Sequence, residues 1–230
     1  MAEVKQVRHK ADGDLVVDRA KDFWSNYGRI VMIAGGALIL LVGGWFGYQN
    51  FIKAPKETKA SEALWKAEDY FGKDSLKQAL SGDGQAAGFE KVISQYGGTE
   101  SGNLANFYAG VVALKSGDNN KAIKYLKDFS TDSKLIQARA YKLLGDAYAN
   151  NGNNSEALSN YKKASKEFEK DVQSSAEYLF TAAFFADRVL NDKKQAIELY
   201  TELKKRYPNT QFGFEADKYL AQAGVLKTEE

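Results

Sequence analysis

One uninterrupted apolar stretch, Ile30 to Phe46 (IVMIAGGALILLVGGWF), lies near the start of a chain that otherwise reads as water-soluble. It carries no charge and is bounded by Arg29 before and Lys53 after. A helix needs roughly 20 apolar residues to cross a hydrocarbon core, and Tyr48, Phe51 and Ile52 bring the stretch to that length. Trp24 and Tyr27 mark one edge, Trp45 and Tyr48 the other. At 1.5 Å per residue, Tyr27 and Tyr48 fall about 31 Å apart, which puts the rings at the two interfaces that amphipathic aromatics prefer. Residues 30–52 therefore read as a transmembrane helix. A signal peptide has a shorter apolar core and a small-residue cleavage site after it. Here Tyr48-Gln49-Asn50-Phe51 follows instead, so the reading is an uncleaved anchor. Gly43 and Gly47 form a GxxxG pair, a candidate contact for a second membrane helix.

The flanking charges do not orient this anchor. Arg19, Lys21 and Arg29 precede it, and Lys53, Lys56, Lys59 and Lys66 follow, so the positive-inside rule gives no vote. Over the whole chain 32 Lys and Arg oppose 30 Asp and Glu, which leaves no basic field to attract nucleic acid. The absence of cysteine removes disulfides, zinc-thiolate sites, thiol catalysis and attachment of a lipoprotein lipid. Two prolines among many Ala, Leu, Lys and Glu favour helices, so the fold class is all-α.

Internal periodicity organises the remainder. In Ala138 to Ala164 (ARAYKLLGDAYANNGNNSEALSNYKKA), Tyr141, Leu144, Gly145 and Tyr148 share one helix face. Ala157, Tyr161 and Ala164 repeat that logic on a second helix after an Asn151-Gly152-Asn153 turn. One repeat upstream, Gly110 aligns with Gly145, Ala122 with Ala157 and Leu126 with Tyr161, around a Ser116-Gly117-Asp118 turn. Downstream, Ala196, Tyr200, Leu203 and Pro208 fit a third second-helix, and Phe184 is expected where the small glycine would be. Tyr96-Gly97-Gly98-Thr99 resembles Tyr207-Pro208-Asn209-Thr210, which suggests a half-unit at Phe89 to Tyr96, and Phe214 to Ala223 reads as a cap. The spacing resembles the tetratricopeptide repeat. Small residues let neighbouring helices approach while Tyr and Leu fill the layer, and about three units are needed because none buries its apolar face alone.

The expected organisation is a tail at residues 1–29, the membrane helix at 30–52, a linker at 53–60 and a tetratricopeptide-like α-solenoid of about three repeats with a capping helix at 61–230. Met1 to Gly13 is expected to be disordered. Asp14 is a candidate cap for a helix carrying Leu15, Val17, Ala20, Trp24 and Tyr27, which either lies on the membrane or, the favoured arrangement, extends the spanning helix. Lys53-Ala54-Pro55-Lys56 reads as a hinge, Ser61 to Phe71 and Asp74 to Leu80 as helices, and Ser81-Gly82-Asp83-Gly84 as a turn-rich loop.

No catalytic constellation emerges. His9, the single histidine, sits in the polar tail. Gly82-Asp83-Gly84 lacks the Lys-Ser/Thr of a phosphate loop and the spaced acids of a calcium loop. Glu167, Glu169 and Asp171 alternate with Lys163, Lys166 and Lys170, as on a solvated helix face. No cofactor or metal is expected. A helical solenoid instead offers a concave surface built from its first helices. The residues expected on it are Leu104, Phe107 and Val111, then Arg139, Lys142 and Asp146, then Tyr178, Thr181 and Phe185. Arg139 and Lys142 match a carboxylate-gripping pattern, but Phe107 stands where another Lys would be. Apolar anchors at Phe107 and Phe185 suit an extended or helical peptide.

A short tail, one membrane helix and a carboxy-terminal repeat domain together resemble the YfgM-like ancillary SecYEG translocon subunit family of bacteria. Asp74 to Gly110 (DSLKQALSGDGQAAGFEKVISQYGGTESGNLANFYAG) looks like the Bacteroidetes version of that architecture. The resemblance implies an inner-membrane protein with a cytoplasmic tail and a periplasmic repeat domain. It implies contacts with the SecYEG translocon, periplasmic chaperones and emerging secretory polypeptides, and no catalytic residues. A cytoplasm-facing adaptor organising a signalling or division complex is the competing reading.

Overall fold

The computed structural model describes residues 12–225, so His9 and most of the tail expected to be disordered lie outside the described residues. The chain divides into two compact units, Met1–Pro55 and Lys56–Glu230.

The first unit is built on α1 (Asp12–Tyr48), 37 residues long, followed by a π-helical turn over Gln49–Lys53. No proline interrupts α1, and at 1.5 Å per residue it runs about 55 Å. Asp14 lies inside the helix rather than capping it, and the Leu15–Tyr27 segment and the apolar stretch are one helix. The favoured extension is therefore the arrangement found. An 18-residue window of this helix reaches a mean hydropathy of 2.2 with none of it buried. It is long and apolar enough to cross a membrane. The expected hinge and linker at 53–60 are helical, because Lys53 closes the π-helical turn and α2 begins at Ala54. The wider π-helical turn falls immediately before Pro55, whose nitrogen has no hydrogen to donate to the helical ladder.

The second unit runs from α2 (Ala54–Gly72) through α3 (Leu76–Ser81), α4 (Phe89–Tyr96), α5 (Glu100–Lys115), α6 (Asn119–Asp128), α7 (Lys134–Asn150), α8 (Asn154–Glu167), α9 (Val172–Arg188), α10 (Lys193–Arg206) and α11 (Gln211–Gln222). From α4 onward each helix packs on its sequence neighbour. The result is three helical pairs, α5/α6, α7/α8 and α9/α10, closed by α11. The pairs approach where the sequence supplies glycine. A β-carbon on Gly110 would lie 2.5 Å from Cγ of Leu126, and one on Gly145 would lie 2.6 Å from Cε1 of Tyr161. Ala122, Ala157 and Ala196 are all buried on the facing helices.

The third pair departs from the expected register. Phe184 is 40% exposed, and its neighbour Ala183 is fully buried in the cluster that holds Tyr200. Ala183 thus fills the small-residue role. The turns explain the slip: Gly117 and Gly152 adopt φ of 77° and 76° in the first two pairs, whereas the third turn passes through Asn191 at φ 53° with a longer path to α10.

The Tyr96 and Tyr207 segments form the same joint. Thr99 Oγ1 donates to the Tyr96 carbonyl at 2.6 Å and accepts from the Gly102 amide at 2.9 Å. Thr210 does the same with Tyr207 and Gly213, at 2.9 and 3.0 Å. Glycine is required at both sites, since a β-carbon would sit 1.9 Å from the Tyr96 carbonyl oxygen or 2.2 Å from that of Tyr207.

Candidate protein-binding face

The first helices α5, α7 and α9 present the residues expected on the concave surface, but the structure divides them. Phe107 and Phe185 are only 8% and 7% exposed. Phe107 packs against Leu126, Ala140 and Leu144, with its ring 5.3 Å from that of Phe129. Phe185 meets the Tyr161 ring edge-on at 5.5 Å. Both are layer fillers rather than surface anchors. Leu104 and Val111 are half-buried around Phe107. Thr181 is partly exposed and its hydroxyl donates to the Glu177 carbonyl of its own helix, at 2.9 Å.

The charged residues on α7 fall into two roles. Lys142 donates to Asp146 at 2.8 Å, and Asp146 also accepts from the Tyr161 hydroxyl at 3.0 Å. Burial, then the charge of Asp146, push the Tyr161 phenol far above its usual value, so it stays a donor. The Lys142–Asp146–Tyr161 chain therefore ties α7 to α8, and neither charge is free for a ligand. Arg139 is different. It is exposed and forms no ion pair among the described residues.

Arg139 acts electrostatically on tyrosines from both neighbouring first helices. Burial and the charge of Glu68 raise the Tyr108 phenol, and Arg139 pulls it back down. Burial and Glu177 raise Tyr178, and Arg139 again opposes them. Arg139 of α7 thus acts on one phenol of α5 and one of α9, but both rings are packed inward: Tyr108 stacks on Phe89 at 5.4 Å, and Tyr178 is buried with Ala138 and Ala164. Tyr108 and Glu68 were not expected from the sequence. Tyr108 follows Phe107 directly, and adjacent helical residues point about 100° apart, so a one-residue error in facing hid it. At the α9 end, Arg188 lies over the Phe184 and Tyr219 rings, 6.0 and 5.7 Å from their centroids.

Successive first helices with an exposed cation, Arg139, on the middle one suit recognition of a polypeptide. Gly43 and Gly47 of α1 have open space where a side chain would be. Among the described residues no three His, Asp or Glu side chains gather in a metal-binding group.

The sequence pattern of the tetratricopeptide repeat-like domain family matches residues 21–140, and that of the tetratricopeptide repeat matches residues 177–210. No curated protein matches the chain. Among solved structures, an ArsTM double mutant of MamA from strain RS-1 aligns with TM-score 0.52 at 19% identity, covering 82% of this chain and 94% of that one. The 41–end fragment of MamA from Desulfovibrio magneticus RS-1 gives 0.52 at 18%, covering 84% and 98%. A variant of the nearly identical repeats of a kinesin light chain from Podospora anserina gives 0.54 at 15%, covering 73% and 85%. These likenesses bear on fold alone; the helical-repeat patterns at 21–140 and 177–210 are those of a protein-binding scaffold. With its family pattern spanning residues 21–140, the chain belongs to the tetratricopeptide repeat-like domain family.

Proposed function

We propose that this chain is a non-enzymatic, membrane-anchored scaffold of the bacterial inner membrane. Its tail faces the cytoplasm and its repeat domain faces the periplasm. There it binds the SecYEG translocon together with periplasmic chaperones or emerging secretory chains. The observation that carries the reading is a stack of three helical pairs whose middle first helix carries the exposed Arg139, in a chain that also holds an apolar helix of membrane-spanning length. The resemblance of tail, anchor and repeats to the YfgM-like family supplies the orientation and the partners. The Gly43–Gly47 face is assigned to a contact with a second membrane helix.

Photo-crosslinkers at Arg139 and Thr181, in intact membranes, are expected to trap a translocon component or an emerging chain. Silence there, with strong trapping from probes in Ile30 to Phe46, would make the anchor the docking element and remove the concave face from the reading. A reporter active only in the cytoplasm, fused after Glu230, is expected to be silent. A bright signal would favour the cytoplasmic adaptor instead.

A further inference from the structure

The largest exposed aromatic of the repeat domain lies on α2, outside the three helical pairs. Trp65 on α2 is 67% exposed and is the only tryptophan of the Lys56–Glu230 unit. It borders a groove of about 700 Å³ between α2, α4 and the loop that joins α3 to α4. That volume lies within the range of specific binding pockets. Ala63, Ala86 and Ala87 contribute small apolar surface to the lining, and Tyr96 adds a second ring. Lys59, Lys66 and Lys91 stand around it against a single acid, Glu62. None of the three lysines is ion-paired among the described residues.

The loop wall is fixed in advance. Asp83 accepts from the amides of Gln85 and Ala86 at 2.9 and 2.7 Å and from the Tyr70 hydroxyl at 2.7 Å. Gly82 and Gly84 adopt φ of 82° and 93°, and a β-carbon on Gly88 would lie 2.3 Å from the Gly82 nitrogen. The Gly82–Gly88 turn is therefore a tightly folded loop that presents Ala86 and Ala87 without further ordering. A groove formed before its partner arrives loses less affinity to ordering.

We infer that the Trp65 groove is a second docking site, and that its occupant is an acidic polypeptide segment carrying an apolar side chain. Carboxylates of such a segment meet Lys59, Lys66 and Lys91, and the apolar side chain lies on the alanines beside Trp65. Charge complementarity selects an acidic partner over a basic one. Shape selects a polypeptide over a lipid surface, since a bilayer is flat on this scale and cannot enter a cleft between two helices. Tryptophan is also among the residues that most often dominate a protein contact. Its lining shares no residue with those expected on the concave surface.

The test uses the full chain in neutral phosphatidylcholine nanodiscs, with Trp24→Phe and Trp45→Phe so that Trp65 alone emits. Titration with a short synthetic amphipathic peptide of Glu and Leu is expected to shift its emission to the blue, saturably. Lys66→Glu with Lys91→Glu is expected to weaken binding by about tenfold or more. Read by anisotropy of the labelled peptide, Trp65→Ala is expected to do the same. A Lys and Leu peptide is expected to leave emission unchanged. An equal response to both peptides, or tight acidic-peptide binding by the charge-reversed variant, overturns the proposal. So does a shift caused by phosphatidylglycerol alone, which would assign the groove to lipid, or by raising protein concentration alone, which would assign it to a second copy.

Discussion

The Tyr161 ring lies so close to Gly145 that a single added β-carbon would stand 2.6 Å from Cε1 and 2.7 Å from Cδ1. The same ring is held by its hydroxyl on Asp146 and by the edge of Phe185, so it cannot swing clear. Gly145→Leu is therefore expected to destabilise the repeat domain by about 1–3 kcal/mol or more through overpacking. Chemical denaturation measures this, and a parent-like midpoint would show that α7 and α8 are not in this register.

Phe107→Ala and Phe185→Ala are expected to cost about 3–5 kcal/mol each, as truncation of buried aromatics does. Arg139→Ala, at an exposed and unpaired site, is expected to stay within about 0.5 kcal/mol of the parent. It should weaken partner capture and lower its salt dependence. Parallel melting curves and crosslinking yields separate the two classes. A Phe107→Ala variant that melts like the parent would return Phe107 to the surface.

Glu57 accepts hydrogen bonds from the Glu100 and Ser101 amides, at 2.8 and 2.9 Å, and so caps α5 from α2. Its carboxylate also lies at the positive end of that helix. Glu57→Ala is expected to cost about 1–2 kcal/mol, as loss of a helix cap does. Hydrogen exchange at the Glu100 and Ser101 amides is expected to quicken more than at Lys121, whose amide is held by Asp118 within its own turn.

Asp83 titrates well below the usual carboxylate range, at about 2, because the Ala86 amide, the Tyr70 hydroxyl and the Gln85 amide all donate to its charged form. A lowered folded value means that its contribution is complete above the ordinary carboxylate pKa and is lost as pH falls through about 2. The Gln85 and Ala86 amide resonances are expected to hold steady down to about pH 4 and to move together below about pH 3. Asp83→Asn is expected to abolish that step. A step near the ordinary carboxylate value would show that the turn is not closed on Asp83.

Much of the stack was legible because close helix approach leaves a signature in residue size. Gly110 and Gly145 had to be small for Leu126 and Tyr161 to fit, and the sequence spacing showed both pairs. The third pair misled because the longer path through Asn191 shifts the register, handing the small-residue role from Phe184 to Ala183. The facing of α5 was harder. Phe107 and Tyr108 are both aromatic, so composition could not reveal which one is the more deeply buried. The Glu57 cap left no local trace, because its partners follow in the chain only after α3 and α4 have intervened. The Lys142–Asp146 pair had ordinary helical spacing, but nothing in the sequence showed that Tyr161 would complete it.

The two threonine joints give the domain a property of interchangeable parts. The chain enters α5 through Thr99 and Gly102 and enters α11 through Thr210 and Gly213, with the same two hydrogen bonds and the same need for glycine. The segment from Thr99 to Asn209 therefore starts at one copy of a coupling and stops just short of the next. A tandem duplication of that segment would meet itself at a joint already proven at both ends, so the solenoid can lengthen by gene duplication without inventing a new junction.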